Sequence, residues 1–133
     1  MSIEEIKKRF IEMTAELVVA LDEFSDLQNM ERAERGSKKM NQLEAERQIL
    51  LKELFKDNKS DSMVNYVHDS ILAEYDEIPM PKGYWAEALY TYYSVVFRTR
   101  YTIVEVHPPK GGTYFLRVPA VGVVHPIGKV FKN

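Results

Sequence analysis

A narrow seam of apolar residues, Ile3, Ile6, Phe10, Met13, Leu17, Ala20, Phe24 and Leu27, recurs at alternating three- and four-residue spacing. A stripe this narrow commits its segment to pairing with another helix rather than to lying on a broad core. Ser2 followed by Glu5 forms a capping box, in which hydroxyl and carboxylate satisfy the free N–H groups of a helix start. Gly36-Ser37 offers a break, after which Met40, Leu43, Leu50 and Leu54 resume the spacing, with Arg47 where another apolar residue would fall. Two arrangements satisfy the seam. One is a helical hairpin within the chain. The other is a single long helix through Gly36, at ~1 kcal/mol for the glycine, pairing with a second chain as a coiled coil. The expectation is a homo-oligomer formed through Ile3–Leu27, with the hairpin as its alternative.

Lys56-Asp57-Asn58-Lys59 is a polar stop, and Ser60 or Asp61 then caps a predicted third helix with Val64, Val67, Ile71 and Tyr75 on one side. Asp76–Gly83 holds two prolines, a glycine and an acidic pair. Residues 79–83 are therefore read as a linker between a helical region, 1–78, and a β module, 84–133, the two making one compact domain. Beyond the linker the period changes. Trp85–Tyr90 reads as a short helix, and Val95–Val106 as a strand, since it is rich in β-branched and aromatic residues. Pro108–Gly112 is a turn leading to a second strand, Thr113–Val118; Ala120–Val124 and Lys129–Phe131 are two further short strands. The fold class is α+β: a helical hairpin or coiled coil, a third helix, then a small antiparallel sheet or barrel-like module.

Charge divides at the same place as period. Residues 1–80 hold 11 Lys and Arg against 18 Asp and Glu, whereas residues 81–133 hold 7 against 2, so the formal charge of −2 is a cancellation. Ten of the fifteen aromatic residues lie beyond residue 80. The 133 residues contain no cysteine, which excludes a disulfide framework, a thiolate zinc site, an iron–sulfur cluster and a cysteine nucleophile. A reducing, cytoplasmic setting follows as the expectation. No apolar run approaches the ~18 residues of a membrane span, and Met1–Phe10 carries five charged residues where a signal peptide needs an apolar stretch. A soluble mature chain without a membrane partner is expected.

Three constellations carry candidate chemistry. Tyr84, Trp85, Tyr90 and Tyr93 are partner-binding candidates, because tyrosine and tryptophan bury a large area while keeping a polar tip. Arg98, Arg100, Lys110 and Arg117 alternate with Tyr101 and Tyr114, a mixture that suits phosphates and stacked bases and hence a nucleotide or single-stranded nucleic acid. His107 and His125 each precede a proline, and with Glu105 they would complete a two-histidine, one-carboxylate metal set if the strand ends converged. His68 reads as a solvated helix residue. Lys110-Gly111-Gly112 reads as a hairpin turn, since a P-loop needs a longer glycine pattern before a helix. No hydrolase, zinc-protease, dinucleotide or calcium-loop motif is present, and no catalytic residue, metal or cofactor is assigned. The function expected is a non-enzymatic protein-interaction module, a homo-oligomeric adaptor or inhibitor of a larger protein machine such as viruses encode. The alternatives are nucleotide or nucleic-acid binding through the sheet and, third, a small metal-dependent enzyme.

Overall fold

The computed structural model describes residues 1–56, 77–120 and 122–132. The chain forms two compact units, Met1–Lys56 and Asp57–Asn133. The first contains α1 (Ile3–Phe24) and α2 (Met30–Phe55). The second contains β1 (Trp85–Ser94), β2 (Thr99–His107), β3 (Tyr114–Pro119) and β4 (Val130–Lys132) in one antiparallel sheet of order β3-β2-β1-β4. The α+β class stands, and the sheet is a four-stranded one. The expected third helix begins outside the described residues.

The two helices form an intramolecular hairpin. Ser2 caps α1 through the reciprocal bonds of a capping box, and the Asn29 side chain caps α2 by accepting from the Arg32 amide. Ile6, Phe10, Met13 and Ala20 of α1 and Leu43, Leu50 and Leu54 of α2 are buried, each contributing on the order of 1.5–3 kcal/mol for the larger side chains. Leu17 is half-buried, while Ile3, Phe24 and Leu27 are exposed. Leu27 lies past the end of α1, so it cannot extend the seam.

The break falls at Ser25–Asn29 and not at Gly36-Ser37. Gly36 is buried inside α2, and a Cβ there would sit 2.5 Å from the Ala20 carbonyl oxygen and 2.5 Å from the Phe24 amide nitrogen. It is a point of close helix approach rather than a stop. Charges fix the register. Arg9 grips Glu46 with two nitrogens, Lys39 reaches Glu16 at 3.3 Å, Arg35 reaches Glu23 at 2.8 Å, and Arg32 joins Asp22 and Asp26 at 2.6 and 3.1 Å. Asp22 and Glu23 lie in the last turn of α1, where the helix dipole disfavours anions, and α2 brings them their cations.

In the second unit one sheet face carries Ala86, Ala88, Val104, Val106, Leu116, Val118 and Phe131, and Ile78 and Met80 join them in the core. Met80 of the expected linker, and Ile78 just before it, thus belong to a hydrophobic core. Trp85–Tyr90 is strand, not helix. Ala88 pairs with Val104 and Tyr90 with Ile103, so Leu89 is the extra residue of a β-bulge. The bulge interrupts the period-two alternation, which is why this stretch reads as helical in sequence. It also moves Tyr90 and Tyr92 to the sheet face of Tyr101 and Ile103, where unbroken alternation would have put Tyr90 beside Ala86 and Ala88.

The second strand starts at Thr99 rather than Val95, because Val95–Arg98 make the turn that closes the β1–β2 hairpin. Pro108–Gly112 leads from β2 toward β3 as expected. Ala120 and Gly122–Val124 are not in a strand; the chain instead turns at Gly128, φ +91°, whose amide donates to the Ala88 carbonyl and starts β4.

Candidate functional site

At one end of the sheet, the β1–β2 turn exposes three consecutive apolar residues: Val95, Val96 and Phe97 are 63, 74 and 59% accessible. The turn is held locally. The Phe97 amide donates to Ser94 Oγ at 3.3 Å, and Thr99 Oγ1 donates to the Phe97 carbonyl at 3.1 Å. Arg98 closes the turn with φ +52°, a left-handed conformation that a glycine would adopt without strain. The exposed Arg117, from β3, lays its guanidinium 4.7 Å from the centre of the Tyr101 ring and 5.6 Å from that of Phe97. Phe97 meets Tyr101 edge-on at 6.4 Å, and Tyr101 leads inward to Tyr92 and Tyr90 at 5.8 and 5.7 Å between successive rings. An aromatic ladder thus runs from the buried sheet to an exposed apolar tip edged by arginine.

At the other end, Trp85 stacks on His107 with ring centres 3.8 Å apart and planes within 4°. Glu105 Oε1 lies 3.0 Å from His107 Nε2. Two residues apart on β2, these side chains share a face, and Trp85 is the cross-strand partner of His107.

The structure divides each expected constellation. Of the partner-binding set, Trp85 and Tyr93 are exposed, Tyr84 packs against the hydrophobic core, and Tyr90 is buried. Of the anion-binding set, Arg117 and Tyr101 meet and Arg98 stands in the neighbouring turn. Arg100 pairs with Tyr93 across the strands, Tyr114 is buried in the core, and Lys110 lies beyond the far end of β2. That nine-residue strand spans ~30 Å, so Lys110 and Arg98 cannot serve one small anion. The two histidines do not converge either. His107 shares the Glu105 face, whereas His125 Nδ1 bonds Thr102 Oγ1 at 2.7 Å on the opposite face. Thr91 Oγ1 completes that buried network at 3.1 Å from Thr102 Oγ1 and donates to the His125 carbonyl at 3.3 Å. Among the described residues no group of three potential ligands is close enough to hold a metal ion.

Sequence reasoning missed Val95 and Val96 by counting them into a strand. The usable signal was three apolar residues in succession, which alternation cannot place on one face. No helix among the described residues is long and apolar enough to cross a membrane. No family model, curated protein or solved structure matches the chain.

Proposed function

We propose that the protein is a cytoplasmic, non-enzymatic interaction module, an adaptor or inhibitor whose β1–β2 turn inserts into an apolar, acid-rimmed recess of another protein. The observation carrying this reading is the exposed run Val95-Val96-Phe97. Consecutive exposed apolar side chains at a turn weaken solubility and add nothing to the core, so they call for a partner. Arg98 supports the reading: an arginine held at positive φ costs ~1–2 kcal/mol that glycine would avoid. Arg117 adds a second cation beside the tip, which suits carboxylates around the recess.

Nucleic-acid binding is the competing outcome. Arg117 already covers the ring faces on which a base would stack. Affinity capture from nuclease-treated cells that make the protein, using wild type and the Val96→Asp/Phe97→Ser variant, tests the proposal. The expected result is a captured protein that the variant loses while its melting temperature stays unchanged. Retention of the same proteins by the variant, or capture that nuclease abolishes, overturns it.

A further inference from the structure

The seam that faces α2 does not exhaust the apolar surface of α1. Ile11, Thr14, Val18 and Leu21 form a second stripe with the same alternating three- and four-residue spacing, turned about 100° from the buried one by helix geometry. Its apolar members are strongly exposed: Ile11 54%, Val18 65% and Leu21 44%. Thr14 Oγ1 donates to the Phe10 carbonyl at 2.8 Å, so its hydroxyl is satisfied within the helix and its methyl can enter a dry contact.

We propose that this stripe pairs with the same stripe of a second copy, α1 against α1 in antiparallel orientation, making the protein a homodimer. This surface is separate from the β1–β2 turn, and the inference does not depend on the reading of that turn.

Charge selects the occupant and its direction. In α1 the segment before Phe10 holds Lys7, Lys8 and Arg9 against Glu4 and Glu5, a small positive excess, whereas the segment after it holds Glu12, Glu16, Asp22 and Glu23 and no cation. An antiparallel second copy sets Lys7 and Lys8 near Asp22 of its neighbour twice over, and a parallel copy would set like charges together. With the symmetry axis midway between Thr14 and Val18, Ile11 meets Leu21 and Thr14 meets Val18. At roughly 100 Å² of apolar surface apiece, Ile11, Val18 and Leu21, with the alkyl stems of Lys7 and Lys8, bury about 400–500 Å² per partner, the size of a weak, concentration-dependent dimer.

Sedimentation equilibrium of the full chain near ~100 µM is expected to give twice the chain mass. Val18→Glu, at a site exposed within one chain, enters a symmetric interface twice and should weaken association about 100-fold with an unchanged helical circular dichroism spectrum. Orientation is read by single cysteines in this cysteine-free chain. Oxidising an equimolar mixture of Ile11→Cys and Leu21→Cys should give a mixed dimer, and Leu21→Cys alone should give little. A monomeric wild type, a dimer indifferent to Val18→Glu, or self-crosslinking of Leu21→Cys without the mixed product would overturn the proposal.

Discussion

Gly36→Ala offers the sharpest test of how the two helices meet. At an open position inside a helix the change stabilises by ~1 kcal/mol, because glycine is the poorer helix former. At Gly36 the new methyl would lie 2.5 Å from both the Ala20 carbonyl oxygen and the Phe24 amide nitrogen, and 3.0 Å from Glu23 Cβ. The two nearest atoms are helical backbone and cannot rotate aside, so α2 must withdraw by about 1 Å to restore ordinary contact, forfeiting roughly a quarter to a half of the dispersion energy along the opened gap. Overpacking of this kind costs ~1–3 kcal/mol. Set against the propensity gain, the expected net change is a loss of up to ~2 kcal/mol. Urea unfolding of the full chain, followed by helical ellipticity at 222 nm, measures it. The neighbouring Ser37→Ala is the control, with an expected gain of a few tenths of a kcal/mol. If Gly36→Ala raises the midpoint as Ser37→Ala does, the close approach is wrong.

Two further outcomes follow from named contacts. The Arg9 hydrogen bonds, followed by its charge, hold the Glu46 carboxyl below its usual value of 4.5. A depressed folded-state value means this stabilisation is complete above the unfolded value and disappears as pH falls through the folded one. Melting temperature should therefore decline below about pH 4.5, and Glu46→Gln should flatten that decline while lowering stability at neutral pH by no more than ~1 kcal/mol, since the pair is partly exposed. In the sheet, Thr102→Val preserves shape but removes the hydroxyl that meets His125 Nδ1 at 2.7 Å. Thr102 is fully buried, so thermal unfolding should register a loss of ~1–3 kcal/mol; a neutral result would show that this network does not hold the 122–129 loop.

The helical seam, the capping box at Ser2, the turn at Pro108–Gly112 and the α+β class are legible in sequence because each depends on neighbours within a few positions. The same is true of Tyr101 and Arg117 as interleaved aromatic and basic residues, though not of their meeting. Charge arithmetic also has its limit. The hairpin, residues 1–56, holds 10 Lys and Arg against 12 Asp and Glu, while residues 57–80 hold 1 against 6. The acidic excess ahead of the basic module therefore belongs mainly to the segment after the hairpin.

Amino-acid order alone determined where helical periodicity yields to β-branched and aromatic residues, and that α1 carries a first apolar stripe demanding a partner. Tertiary structure decided which partner the first stripe takes, because α2 can approach only where Gly36 leaves room against Ala20 and Phe24. It also decided which aromatics are presented and which are buried, because one extra residue at Leu89 reverses the faces of everything after it on β1. Both decisions depend on atoms distant in sequence, and local pattern carries no record of their distance in space.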